Sequence, residues 1–265
     1  MPIRSVETVL EPDRLAQLAA AGEPGDGLRE RFGRDGYVKL PGVVRGARLG
    51  ALRAETRRLE RLARRRDFTV ARADASPRRM ATVGGQMVGA LAPWVPRLYA
   101  DASLTALIRR ISGADAVEAP DPLERYVLTV LHQLGDTHGA HLDGYPLTFV
   151  LCADAPSSPR DGGLLEYAPG ELDPAGLGSA AARRAHHRPG DAYLLRGDAC
   201  VHRVTPLRRA GLRRTVLTLS YGARSPVSRV APESRASSAT PGARAPRASS
   251  VPEQGRARRS ALRGD

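Results

Sequence analysis

The side chains best placed to do chemistry are His141, Asp143 and His202, together with the adjacent arginines Arg213 and Arg214. On an extended segment, residues i and i+2 project from the same face. His141 and Asp143 can therefore reach one metal ion from a single strand, and His202 can join them from a distant strand folded back alongside. Two neutral imidazoles and one carboxylate on one face leave three positions open on an octahedral ion, a set that suits non-haem Fe(II). Taken alone, an H-x-D triplet with a later histidine is common, and it also describes a packed histidine followed by a turn aspartate. The context narrows the choice. The chain has only six histidines, and His202 opens the run His202-Arg203-Val204-Thr205-Pro206, with Pro189-Gly190-Asp191 before it.

An arginine on the strand after the last histidine has a defined use. A 2-oxoglutarate cosubstrate chelates two of the open positions, and its distal carboxylate then needs a fixed bidentate cation, which arginine supplies better than lysine. Arg213 and Arg214 are neighbours, so only one can face inward. Counting by twos from Arg214 reaches Val216, Thr218 and Ser220, a set suited to a ligand-lined interior. Counting from Arg213 reaches Thr215, Leu217 and Leu219, a set suited to packing under helices. This favours Arg214 as the clamp. An R-x-[S/T] reading of Arg213-Arg214-Thr215 keeps Arg213 open.

The elements that must position these groups fall into two halves. Leu49, Leu52, Leu59 and Leu62 mark a helix over 45–66, and Leu98, Leu104, Leu107, Ile108 and Ile111 mark another over 97–112. A further helix is expected over Val9–Ala21, and a short strand over Tyr37–Leu40 before Pro41-Gly42. From Glu124 onward the chain turns to short β-rich runs, Arg125–Leu131, Leu147–Cys152, Gly163–Tyr167, Asp191–Leu195 and Thr215–Tyr221, separated by Gly, Pro and Asp turns. Helices first and strands afterward predict an α+β chain with a mainly β core, a double-stranded barrel or jelly roll carrying N-terminal supporting helices. Three segments follow: 1–27, a domain over 28–225, and a tail over 226–265. The tail has five prolines, seven serines and few large apolar residues, and reads as disordered.

The run from about Phe32 to Tyr221 resembles the Fe(II)/2-oxoglutarate-dependent dioxygenase superfamily. Phe32-Gly-Arg-Asp-Gly-Tyr-Val-Lys-Leu-Pro-Gly-Val-Val44 is similar to the opening of its phytanoyl-CoA-dioxygenase-like members. His141-Leu-Asp143, Pro189-Gly190-Asp191, His202-Arg-Val-Thr-Pro206 and Gly211 to Arg214 follow in the order of its core motifs. The resemblance implies the double-stranded β-helix form of the jelly roll, with Fe(II), 2-oxoglutarate and O2 as cofactor and cosubstrates. It also implies substrate oxidation coupled to formation of succinate and carbon dioxide.

A closer likeness is to the bacterial subgroup that hydroxylates or chlorinates free amino acids, carried by Pro77-Arg78-Arg79-Met80, Glu124 and His138. It implies that Glu124, His138 and one of Arg78 and Arg79 contact substrate. Each also reads as an ordinary charged or loop residue. In the chlorinating members the aspartate of H-x-D is a glycine; here Asp143 is present, which favours hydroxylation. Gly144 stands where a further acidic residue would help hold a substrate ammonium, which counts against lysine as substrate. His132 reads as structural, His186 and His187 as solvent-facing loop residues, and Cys200 as packing. Trp94 either caps the pocket or fills the core.

Composition bounds the alternatives. The net charge is +13, but Lys39 is the only lysine among 41 basic residues, and the tail alone carries a net +5. An arginine-rich compositional bias accounts for most of this. A nucleic-acid-binding basic protein stays open, although aromatic residues make up only 4% of the chain, so stacking platforms are scarce. A cupin-like metal-binding jelly roll without oxygenase activity is the other rival. Two cysteines exclude a disulfide framework. With no apolar membrane stretch or signal-like N-terminus, the expectation is a cytoplasmic enzyme acting on a small molecule, with no membrane partner.

Overall fold

The computed structural model describes residues 27–70 and 76–225. Five helices and twelve strands are found among them. They are α1 (Gly27–Asp35), β1 (Tyr37–Leu40), α2 (Gly46–Glu60), β2 (Arg64–Val70), β3 (Ser76–Val83), α3 (Gly85–Leu91), α4 (Trp94–Tyr99) and α5 (Ala102–Ser112). There follow β4 (Ala116–Glu118), β5 (Tyr126–Leu131), β6 (Thr137–His141), β7 (Leu147–Asp154), β8 (Leu165–Pro169), β9 (Arg183–Ala185), β10 (Ala192–Leu195), β11 (Cys200–Val204) and β12 (Arg214–Ala223). The expected helix over Val9–Ala21 and the tail over 226–265 lie outside the described residues.

Every ladder is antiparallel, in the neighbour order β1-β10-β7-β12-β5-β3-β6-β11-β8-β9. The path is continuous because β3 serves both sheets: Ala81–Val83 pair with β5, while Arg78 and Arg79 pair with β6. Period-two alternation then separates two interiors. Leu147, Phe149 and Leu151 of β7, with Leu217 and Leu219 of β12, pack against the helices in the main core. Thr148 and Val150 of β7, with Val216 and Thr218 of β12, face the cavity between the sheets. This is the double-stranded β-helix with supporting helices expected from the sequence.

Local differences have local causes. The helix expected over 97–112 is broken at Asp101, whose side chain accepts from the Leu104 amide and caps α5, so Leu98 belongs to the separate α4. The helix expected over 45–66 stops at Glu60, and Leu62 is exposed. Its last residues start β2, an edge strand exposed nearly throughout and therefore without apolar alternation to betray it. Trp94 fills the main core. His187 is buried and not solvent-facing, because its ring packs on Tyr193 and bonds Tyr37.

Pro189-Gly190-Asp191 is a structural lock. Gly190 has φ +88°, and a Cβ there would collide with the Val44 carbonyl oxygen. Asp191 accepts from the backbone N–H groups of Gly42 and Arg188, both at 2.8 Å, and pairs with Lys39 at 2.9 Å. Burial opposes its ionisation, but the Arg188 amide, Lys39 and the Gly42 amide outweigh that and hold its pKa below the ordinary value. A carboxylate depressed on folding stabilises the fold above its unfolded pKa, and that contribution is lost as pH falls through the lower folded value. Asp191→Asn should therefore cost about 1–3 kcal/mol near neutral pH. The deficit should shrink in acid, as read by urea melts across a pH series.

Candidate metal and cosubstrate site

A bulge in the β6–β11 ladder assembles the site. His202 pairs with His141 and Val204 with His138, so four residues of β6 span three of β11. The extra residue lets His138 and His141 both turn into the cavity, with ring centroids 3.9 Å apart. Asp143 lies just past the strand end, tethered by its N–H to the Gly197 carbonyl at 2.8 Å. Its Oδ1 is 3.5 Å from His141 Nε2 and 3.6 Å from His202 Nε2.

The donor set fits a metal ion. Donor atoms of the three residues all lie within 4.8 Å of one another. Both Nδ1 atoms sit against carbonyls that can only accept, His141 on Gly139 O at 2.8 Å and His202 on Cys200 O at 2.9 Å. Each Nδ1 therefore carries the proton, leaving the Nε2 lone pairs for a shared ligand. Thr148 Oγ1 donates to Asp143 Oδ2 at 2.7 Å, which turns Oδ1 toward the histidines. Burial disfavours the Asp143 charge, but His202 and His141 overcome it and hold its pKa well below the carboxylate range. Burial and His202 push His141 down, whereas Asp143 overrides burial at His202 and raises it. Burial also pushes His138 well down, aided by His141 and Arg78, so its ring is neutral.

A cavity of about 70 Å³ continues from these residues to Arg214. Arg214 is 3% exposed, makes no ion pair among the described residues, and donates to Tyr193 Oη at 3.5 Å. Thr129, Thr148 and Thr218 add hydroxyls to the wall. Arg213 points the other way and pairs with Glu60 of α2, which removes it from the cavity.

The remaining site candidates divide. Arg78 is partly buried, donates to Ser76 Oγ at 2.7 Å and Gly139 O at 3.0 Å, and has no carboxylate partner among the described residues. Burial lowers its pKa. Arg79 alternates to the opposite face, is exposed, and lies 3.8 Å from Asp67, so it is not brought to the site. Glu124 is exposed and does not line the cavity; its side chain bonds Tyr145, and one oxygen comes 4.0 Å from the position a Gly144 Cβ would take.

Thr148, Thr129, Tyr193 and Gly197 were not singled out in the sequence. Thr148 had a signal, a polar residue in the otherwise apolar run Leu147–Ala153. Gly197 had none. A Cβ on Gly197 would fall 2.6 Å from Asp143 Cβ and 2.8 Å from Thr148 Oγ1, so glycine alone leaves room for the carboxylate.

Solved structures share this architecture. The α-ketoglutarate-dependent epimerase SnoN from nogalamycin biosynthesis is similar at 20% identity and TM-score 0.56, over 80% of this chain and 84% of that one. A Trichoplax adhaerens prolyl hydroxylase is similar at 13% identity and TM-score 0.59, over 82% and 96% of the two chains. AviO1 from Streptomyces viridochromogenes Tue57 is similar at 19% identity and TM-score 0.57, over 77% and 98%. No curated protein matches the sequence significantly. The donor set, with the family to which the chain belongs, defines an enzyme of the Fe(II)/2-oxoglutarate-dependent oxygenase class. Residues 23–238 match the family model described as Halogenase D, and the chain belongs to that family. Among the described residues, no helix is long and apolar enough to cross a membrane.

Groups that orient metal ligands are typically worth about 10–100-fold in metal affinity. Thr148→Val and Gly197→Ala should each weaken Fe(II) binding by roughly that factor without unfolding the chain. Anaerobic Fe(II) titration, with circular dichroism as the folding control, reads both.

Proposed function

We propose that this chain hydroxylates a small amino-acid-like molecule, with His141, Asp143 and His202 holding Fe(II) and Arg214 anchoring the distal carboxylate of 2-oxoglutarate. The observation that carries the hydroxylase reading is the Asp143 carboxylate itself, oriented by Thr148 between the two histidines. In the chlorinating enzymes that the sequence resembles, a glycine in this place opens a position for chloride. Here the carboxylate occupies it, although the family carries a halogenase name. Iron bound with 2-oxoglutarate would supply dioxygen activation, with one oxygen atom going to the substrate C–H and the other to succinate as carbon dioxide leaves.

The chain's own residues select and place the partners. Arg214 offers a buried guanidinium whose charge no acidic side chain among the described residues neutralises, a strong site for a carboxylate screened from water. Tyr193 steadies it, and the threonine hydroxyls satisfy further polar atoms. Arg78 is a second cation without an acidic partner among the described residues, next to the neutral ring of His138. That pair suits a substrate carboxylate. The exposed Glu124 suits an ammonium or guanidinium group farther along the same molecule, and Gly144 leaves space beside it. An α-amino acid with a basic side chain meets all three groups, though the missing acidic residue at 144 disfavours lysine itself.

Two outcomes test this reading. Turnover of an amino-acid panel in chloride buffer, followed by mass spectrometry, should give a product that has gained one oxygen, with one succinate per product. A chlorinated product would overturn it. For the accepted substrate, Arg78→Gln should remove a charge-assisted contact worth about 1.5–3 kcal/mol, raising KM roughly 10–100-fold. The KM for 2-oxoglutarate should stay unchanged, whereas Arg214→Gln should show the reverse.

A further inference from the structure

A buried group of oxidisable side chains adjoins the cavity that holds His141, His202 and Arg214. Three of the chain's seven tyrosines, Tyr37, Tyr167 and Tyr193, pack with both of its cysteines, Cys152 and Cys200, in one buried cluster separate from the main core. Tyr193 joins this cluster to the cavity, since it lines the same space as His141 and His202. Its ring centroid is 5.8 Å from that of Tyr37, and Tyr37 lies 4.6 Å from Tyr167. Tyr167 sits under the Arg183–Asp35 ion pair, close to the surface. An unbroken line of phenol rings therefore leads from the metal site outward.

The middle phenol has a base in place. Tyr37 Oη is 2.9 Å from His187 Nε2, and His187 Nδ1 has no partner among the described residues. Counting protons decides the direction of this bond. If Nε2 carried the hydrogen, the Tyr37 O–H would be left without an acceptor and Nδ1 would remain unpaired. If Tyr37 donates, only the Nδ1–H is unpaired, so the second arrangement wins, because each buried unmade hydrogen bond is costly. Burial pushes His187 down to about 3, helped by Arg214 and Lys39, so its Nε2 lone pair is free at neutral pH. Burial raises the Tyr37 pKa, so the phenol does not ionise alone. It can lose an electron readily only if its proton leaves at the same time, and the hydrogen bond provides the route.

We propose that Tyr37 and His187 form a proton-coupled redox pair which, through Tyr193, drains oxidising equivalents from the metal and cosubstrate cavity when no substrate is there to take them. In this step Tyr37 gives one electron inward through Tyr193 and its phenolic proton to His187 Nε2, leaving a neutral phenoxyl and an imidazolium. The electron acceptor is a one-electron oxidant produced at the metal site by O2 and 2-oxoglutarate, so the role rests on the oxygenase reading. An external one-electron donor such as ascorbate, delivering through Tyr167, reduces the phenoxyl, and the proton returning from His187 restores the Tyr37 phenol.

Two arms of one experiment separate the pair from its oxidant. In the first, the full chain loaded with Zn(II) is oxidised by flash-generated ruthenium(III) tris-bipyridine, and tyrosyl radical is followed by transient absorption and electron paramagnetic resonance. Tyr37→Phe should remove the long-lived radical, and His187→Phe should slow its formation at least several-fold and abolish its solvent deuterium isotope effect. His187→Asn serves if the phenylalanine variant fails to fold. An unchanged radical in Tyr37→Phe, or unchanged kinetics in the His187 variants, would overturn the pair. In the second arm, the wild type is mixed with Fe(II), 2-oxoglutarate and O2 without substrate. A freeze-quenched tyrosyl signal that is lost in Tyr37→Phe, together with several-fold faster inactivation of that variant, is the expected result. Equal inactivation of both would overturn the protective role. A positive first arm with no 2-oxoglutarate consumed in the second would overturn that role by removing its oxidant.

Discussion

The placement of one carboxylate between two imidazole nitrogens is the constraint around which this molecule is arranged. Asp143 is a partly buried carboxylate that faces His141 and His202 across 3.5 and 3.6 Å, and their interaction with it outweighs burial and holds its pKa down. Each neighbour has a part in that geometry. Two carbonyls hold the imidazole tautomers, Thr148 turns the carboxylate, and Gly197 leaves it room. None of these groups is adjacent in the chain. The antiparallel β6–β11 and β7–β10 ladders bring them together, and the β6 bulge aims the histidines.

The same alternation that buries the apolar face under the helices gives the opposite face its polar content. Along β12, Leu217 and Leu219 belong to the core, while Arg214 and Thr218 belong to the cavity. A shift of one residue in register would exchange the two sets. Stability and ligand chemistry are thus set by one pairing pattern. Arg214 lines the cavity with the histidines and Arg78 lies beside His138; neither has an acidic partner among the described residues, so each marks a place where a carboxylate would complete the electrostatics. This is the physical basis for reading a cosubstrate site and a substrate site around one metal centre.

Much of this was legible in the sequence where residue type and period agree. The H-x-D pair and the choice of Arg214 over Arg213 follow from period-two alternation, while His202 stood out by the run around it, and the structure places Arg214 in the cavity and Arg213 on Glu60. What stayed hidden depends on partners distant in sequence. The β2 strand lacks apolar alternation because it is an exposed edge. His187 looked like a loop residue beside Arg188, yet its ring is buried by Tyr37 and Tyr193, which come from two other strands. Gly197 carries no signal of its own, since its importance lies in the space that Asp143 occupies.

The central claim is that His141, Asp143 and His202 hold Fe(II) while Arg214 holds 2-oxoglutarate on the same ion. It is tested most directly by adding Fe(II) and then 2-oxoglutarate to the apoprotein without oxygen and recording the visible charge-transfer band of the chelate. The account predicts a band in the wild type that disappears in His141→Ala and needs much more 2-oxoglutarate in Arg214→Ala. A folded, iron-loaded wild type that shows no band at saturating 2-oxoglutarate would contradict it.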